Sequence, residues 1–291
     1  GPESLYGAFK SHFCITRGSD ELAIDLPSYL QGLGNTLDFY CCMFNPRLLL
    51  DESATATSFF MQQAFQTSEN EKLYEWLCKL HLLDKSDFFP FLIAVHLWCC
   101  KRRVAHIRAH QISVLEHAQL LLYAVQSCEM FAFMGTIVQR LKRNTGTLYF
   151  LNQAHDVSHG KKTPRQAIAF IWKSIHKASW YNAQSLVQFH QSKLQDLRGI
   201  MYYLIEYENA LREKHGLASL HFKTRKLKIE HILPRQQWET IDYWNKRFSE
   251  NVKSDNYGHL YKDMIGNLVL TSSERFDQLQ DCSGFNGKKE V

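Results

Sequence analysis

Hydrophobic positions recur at helical spacing through the first 220 residues of the chain. Between residues 185 and 216, leucine, phenylalanine and methionine side chains fall mostly three, four or seven positions apart, as they do along one face of an amphipathic helix. Gly216 stands where such a helix would end, and Thr163 with Pro164 suits the start of an earlier helix. The pattern predicts a mainly α-helical fold for this part of the chain.

Another long helix is predicted in residues 117–143. Ser113 and Glu116 precede it with capping-box spacing, in which a serine side chain satisfies an amide at the start of the helix. Basic residues followed by Gly146 indicate its end.

The pattern changes to short apolar runs after residue 220. "LKIEHILP" alternates as a strand does, "IGNLVLTSS" is a second short apolar run, and "ERFDQLQD" suits a short helix capped by Ser272 or Ser273. The order is therefore strand, connection, strand and helix. We expect two domains, a helical one in residues 1–220 and a small mixed one in residues 221–291.

Composition and charge exclude few classes of protein. The chain is 45% hydrophobic and 22% charged, which is ordinary for a globular protein, and its formal charge of +5 permits nucleic-acid binding without demanding it. The most apolar run, residues 88–100, is shorter than the roughly 20 residues needed to cross a bilayer, so no membrane association is expected.

The eight cysteines indicate a reducing compartment. None of them forms a Cys-x-x-Cys motif, and most lie in apolar helical pattern, which favours buried thiols over a disulfide framework or a zinc site. We therefore expect a cytoplasmic protein. Because the chain begins Gly-Pro, without Met or a signal-peptide pattern, we expect it to be part of something longer.

Two short stretches carry residues with catalytic or metal-binding chemistry. "HDVSH", with His155, Asp156 and His159, has two imidazoles and a carboxylate but no further clustered ligand, and we interpret it as an exposed loop. The other stretch is the pair Glu230 and His231. Neighbours on a regular strand point to opposite faces, so a shared task requires the strand to end or bend, as a following proline at 234 would allow.

Cleavage of a phosphodiester needs an activated water, a cation and groups that position both. A histidine base, oxygen ligands for a divalent ion and an amide that orients the histidine suffice. His231, Glu230 and Asn267 supply these three types of side chain.

Four motifs occur in an order that resembles a known nuclease family. They are "YLIEYENAL" at 203–211, "IEHILP" at 229–234, "IGNLVL" at 265–270 and "FNGK" at 285–288. The stretch they cover, roughly residues 195–289, resembles the HNH, or ββα-metal, nuclease domain of GmrSD- and SspE-type modification-dependent restriction endonucleases. The resemblance implies a helical domain followed by a small C-terminal ββα-metal nuclease domain.

The same resemblance implies a role for each matching residue. His231 corresponds to the general base, Glu230 to an adjoining metal ligand, and Asn267 to the residue that holds the histidine-bearing segment in place. The implied activity is metal-dependent nicking of DNA with Mg²⁺ or Mn²⁺. The implied setting is defence against phage DNA, in which an N-terminal ParB-like domain, without a matching motif in this chain, takes part in recognising modified DNA.

The chain departs from the family pattern at one metal ligand. The family places an Asn at the start of the closing helix, and the corresponding position in this chain is Phe276, which cannot bind a cation. Asp277 is the expected substitute, and Glu274 is the alternative.

The predicted contacts to DNA phosphates are basic residues near the candidate site. They are Lys223, Arg225, Lys226, Lys228, Arg235 and Lys288. Two other functions remain open from the sequence. One is an HNH-fold module that binds DNA without cutting it, and the other is a helical regulatory or assembly domain in residues 1–220.

Overall fold

The structure, a computed structural model, describes most of the helical elements and the C-terminal strands. The described residues are 14–17, 21–24, 26–50, 67–83, 87–103, 111–138, 145–177, 184, 187, 189, 197–220, 227–232 and 264–280. Within them the chain is mainly helical, with a small two-stranded sheet near the C-terminus, as the hydrophobic pattern predicts.

Eight α-helices and four strands are found in the described part of the chain. The helices are α1 (Leu26–Phe44), α2 (Thr67–Leu82), α3 (Phe89–Arg103), α4 (Val114–Phe131), α5 (Thr145–Ser158), α6 (Pro164–Lys177), α7 (Leu197–Lys214) and α8 (Ser273–Gln280). The strands are β1 (Cys14–Arg17), β2 (Glu21–Ile24), β3 (Leu227–His231) and β4 (Leu268–Ser272). A π-helical segment, Ala132–Val138, continues directly from α4.

The chain divides into two compact units. The first comprises Gly1–Leu77, Asp87–Gln126 and Gly146–Ala169, and the second comprises Cys78–Ser86, Ser127–Thr145 and Phe170–Val291. The domain boundary predicted at residue 220 stays a prediction.

The first unit is built around the contact of α1 with α3. Leu92 and Val95 are fully buried in α3, and Phe39 and Met43 are fully buried in α1. Each of these pairs is spaced three or four residues apart, which puts its members on one side of their helix. A further aromatic contact in this unit joins Phe88 to Phe150 of α5, edge to face at 4.4 Å between centroids.

Local sequence signals account for the ends of several helices. The Ser113 hydroxyl accepts the Glu116 amide at 3.0 Å before α4, and the Thr163 hydroxyl accepts the Gln166 amide at 3.3 Å before α6. The Gln166 side chain in turn accepts the Thr163 amide at 2.9 Å, which completes a capping box. The two predicted helix starts are confirmed.

Gly216 ends α7 as its position predicts. Its φ is +67°, a left-handed conformation that glycine adopts without steric cost. The Leu217 amide donates to the Arg212 carbonyl at 2.8 Å and the Gly216 amide donates to the Glu213 carbonyl at 3.1 Å, the two hydrogen bonds of a Schellman motif.

Three features differ from the expectation based on sequence. Gly146 is buried in the first turn of α5 and is therefore not the terminator of the preceding helix. Residues 155–158 were expected in a loop but lie in the last turn of α5. His155 and His159 are exposed, as expected. The antiparallel hairpin of β1 and β2 is not anticipated by the predicted helices.

The cysteines and the helix lengths agree with the expectations drawn from composition. Cys42, Cys99, Cys100 and Cys128 are buried, and none of the six described cysteines with a placed side chain is in a disulfide. Burial, followed by the nearby Cys41 and Asp38, raises the pKa of Cys42 to about 12, so this thiol stays protonated. Among the described helices, none combines the length and the apolar character that a membrane span requires.

Candidate active site

Strands β3 and β4 bring the two candidate motifs side by side. They pair antiparallel, with His231 opposite Leu268 and Glu230 opposite Val269. His231 is the last residue of β3, and Ile232 lies in a bend. The strand therefore ends where the sequence suggested, whereas Pro234 lies outside the described residues.

His231 shares its face of the sheet with apolar residues that pack on α7. In an antiparallel pair, opposed residues share a face and successive residues alternate, so His231, Ile229 and Leu268 lie on the same side. Leu268 is buried with Ile200 and Leu204 of α7, and Ile229 packs against this cluster. α7 thus supports the face that carries His231, which is half-buried.

Glu230 lies on the other face of the sheet. It is 4% exposed, and the Thr271 side chain on the same face is also buried. A carboxylate that is removed from water needs a cation or hydrogen-bond donors around it. The burial of Glu230 therefore distinguishes it from the exposed glutamate that a solvated strand would carry.

Asn267 lies against the segment that follows His231. It ends a 3₁₀ turn, Ile265–Asn267, that leads into β4, and its backbone N–H donates to the Met264 carbonyl at 2.9 Å. Its backbone carbonyl accepts a hydrogen bond from the backbone N–H of Ile232 at 2.8 Å, the next backbone hydrogen bond after the paired strands. Asn267 is buried, and through its backbone it holds the end of β3.

Helix α8 closes the strand, strand and helix arrangement. The Ser272 hydroxyl accepts the Arg275 amide at 3.2 Å, so Ser272 is the N-cap, one of the two residues predicted for this role. α8 contacts both β3 and β4. In this helix Glu274 is exposed and Phe276 is half-buried, whereas Asp277 belongs to α8 but its side chain lies outside the described residues.

One of the six predicted DNA contacts can be located. Lys228 is exposed in β3, opposite Thr271. The other five, Lys223, Arg225, Lys226, Arg235 and Lys288, lie outside the described residues.

The second unit also contains a buried carboxyl group that sequence analysis did not single out. Glu129, at the end of α4, is 2% exposed, and the Tyr202 hydroxyl of α7 donates a hydrogen bond to its Oε1 atom. Burial raises the pKa of Glu129 to about 7, although Tyr202 and Lys79 oppose the increase and Glu206 adds to it. Glu129 lies in an apolar helical run, and an acidic residue in such a run is the signal that would have drawn attention to it.

A grouping of potential metal ligands was missed as well. Among the described side chains, the set of three or more His, Cys, Asp or Glu residues close enough to share an ion is His96, Cys100 and His117, in the first unit. The spacing of four between the first two was visible in the sequence, but the third ligand comes from another helix.

Known proteins provide no further constraint on this site. No protein-family model matches the chain, and searches of curated proteins and of solved structures find no match to it.

Proposed function

We propose that the C-terminal part of the chain, residues 221–291, is an HNH-type nuclease domain that nicks DNA. The observation that carries the proposal is the hydrogen bond from the Ile232 amide to the Asn267 carbonyl, 2.8 Å long, because it joins the two motifs beside His231. The order of β3, β4 and α8 supports it further, since a ββα-metal domain consists of two antiparallel strands followed by a helix.

In the proposed mechanism His231 is the general base. At the end of β3 its imidazole takes a proton from the water that attacks a DNA phosphate, a task that histidine side chains often perform in enzymes. Asn267 is a positioning residue, because its carbonyl fixes the backbone directly after His231. One such site cuts one strand, so nicking is the elementary reaction.

The carboxyl groups fit a hard divalent cation. Glu230 is a buried oxygen donor, and Asp277, or Glu274 as the alternative, is the second donor. These residues would hold Mg²⁺ or Mn²⁺, which when bound supplies positive charge for the leaving 3′-oxygen. Lys228 and the basic residues around it contact the phosphates of the DNA. The setting that we propose is cytoplasmic defence against foreign, modified DNA, with recognition supplied partly by a ParB-like region.

A nicking assay tests the proposal. Supercoiled plasmid is incubated with the protein and Mg²⁺ or Mn²⁺, and the open-circular product is quantified for the wild type, His231→Ala and His215→Ala. His215 is an exposed histidine after α7 and serves as the matched control. We expect nicking by the wild type and the control, and at least a roughly hundredfold loss in His231→Ala, since general-base catalysis contributes about that much.

Equal nicking by the wild type and His231→Ala would exclude the assigned base. If the wild type does not nick the plasmid, the catalytic proposal is wrong. Separate Asp277→Asn and Glu274→Gln variants identify the second carboxylate. The variant that replaces the metal ligand should lose nicking activity, and excess Mn²⁺ should partly restore it.

A DNA-binding module without catalysis is the second candidate. The observation that favours it is Phe276, a half-buried apolar residue at the position where the resembling family has a metal-binding Asn. A gel-shift experiment distinguishes the two functions. DNA binding that survives in His231→Ala, combined with no cutting by the wild type, would favour the module.

A further inference from the structure

Two histidines and a cysteine meet in the interior of the first unit. His96 and Cys100 lie four residues apart on α3, which places them on the same side of that helix, and His117 lies in α4. Their side chains are between 0% and 5% exposed. One ligand atom from each residue lies within 4.8 Å of those of the other two.

The spacing of these side chains suits a tetrahedral ion. His117 Nε2 is 3.2 Å from His96 Nδ1, and Cys100 Sγ is 3.5 Å from His96 Nε2. With Zn–N near 2.0 Å and Zn–S near 2.3 Å, tetrahedral angles give about 3.3 Å between two nitrogens and about 3.5 Å between nitrogen and sulfur. Each distance taken alone is one found around zinc, although the two distances involve different nitrogens of His96.

The orientation of His96 is fixed by its surroundings. Its ring stacks on Phe39 of α1, with centroids 4.5 Å apart and planes at 16°. One ring nitrogen faces His117 and the other faces Cys100, so the three groups form a chain in which neutral His96 donates one hydrogen bond and accepts the other. A single ion takes one nitrogen of His96, so the ligand atoms, which lie within 4.8 Å of one another, move closer together when the ion binds.

The donor types select the class of ion. Imidazole and thiolate suit Zn²⁺ and other borderline or soft transition metals, whereas Mg²⁺ and Ca²⁺ take oxygen ligands. The set contains no carboxylate, so it differs in chemistry from the Glu230 site. We propose that His96, Cys100 and His117 form a structural Zn²⁺ site that joins α3 to α4.

Binding is balanced by the release of a proton. The Cys100 thiol loses its proton to solvent, the thiolate and two neutral imidazoles bind the cation, and the net charge of the assembly is +1. Three protein ligands leave one tetrahedral position for a small donor such as water. Because α3 and α4 each supply at least one ligand, the ion stabilises the folded state of the first unit.

Metal analysis of the complete chain tests the site. The protein is purified without chelators, and zinc and copper are measured by mass spectrometry for the wild type, Cys100→Ser and Cys99→Ser. Cys99 is the matched control, because it is equally buried on the same helix but is not one of the grouped ligands. We expect roughly one zinc per chain in the wild type and Cys99→Ser, and at least a tenfold reduction in Cys100→Ser.

A spectroscopic measurement on the wild type covers the case in which Cys100→Ser does not fold. Replacing the metal with Co²⁺ should produce a thiolate charge-transfer band, and zinc-edge X-ray absorption should show one sulfur and two imidazole ligands. Wild-type protein without zinc, unable to take up Zn²⁺ or Co²⁺, would overturn the proposal. So would a full complement of zinc in folded Cys100→Ser, and one equivalent of copper in place of zinc would overturn the identity of the ion.

Discussion

Replacing Glu129 with glutamine should remove a large part of the pH dependence of folding. The carboxyl group is 2% exposed, and burial raises its pKa from 4.5 to about 7. The folded protein therefore holds this proton more tightly than the unfolded chain does. Between those two pH values unfolding releases the proton, so the free energy of unfolding falls as the pH rises and levels off above about 7.

The size of the effect follows from the pKa difference. Each tenfold change in proton affinity corresponds to about 1.4 kcal/mol, so moving the pKa from 4.5 to about 7 corresponds to about 3 kcal/mol. Glutamine resembles the protonated carboxyl group and still offers an oxygen to the Tyr202 hydroxyl. The free energy of unfolding of Glu129→Gln, relative to that of the wild type, should therefore rise by about 3 kcal/mol as the pH increases from 4.5 to 8.

Urea denaturation followed by circular dichroism, repeated at intervals from pH 4.5 to pH 8, measures this difference. Glu213→Gln, at an exposed position in the last turn of α7, is the control and should give a profile parallel to that of the wild type. If Glu129→Gln is also parallel to the wild type across the whole range, Glu129 does not hold its proton as the structure implies.

Two further changes test the packing of α7 and the geometry at its end. Leu204→Ala should lower the free energy of unfolding by about 3 kcal/mol, because Leu204 is 7% exposed beneath the β3–β4 sheet. Leu211→Ala, at a position 39% exposed on the same helix, is the control and should lower it by less than about 1 kcal/mol. Equal losses in urea denaturation would contradict this packing. Gly216→Ala should lower the free energy of unfolding by about 1 kcal/mol because of the positive φ alone, since an added Cβ would meet no atom within 4 Å. An unchanged denaturation midpoint would show that the left-handed turn is absent in solution.

Sequence alone predicted several features that depend on neighbouring residues. The caps at Ser113, Thr163 and Ser272 and the turn at Gly216 each rest on contacts within a few residues, and all four are confirmed. Such contacts form wherever the local chain is helical, so the rest of the fold is not needed to infer them.

Features that depend on distant residues were predicted less well. The two C-terminal strands were expected in the right places, but their register depends on pairing between residues far apart in the sequence, which no local pattern specifies. The grouping of His117 with His96 and Cys100 required two helices to pack, and the absence of Cys-x-x-Cys spacing argued against a zinc site. That spacing is a property of zinc-binding loops, whereas a site formed between helices needs only a separation of three or four residues on one helix.

The regularity of β3 limits how Glu230 and His231 could act together in the proposed nuclease. Because the strand stays paired through His231, the two side chains begin on opposite faces of the sheet. A shared phosphate can be reached from both faces only at the edge where the strand ends, and that edge is where Ile232 bends and donates to Asn267. In the proposed nuclease, weakening this backbone hydrogen bond should therefore reduce nicking while the rest of the sheet stays paired. Asn267 would then act through its backbone more than through its side chain.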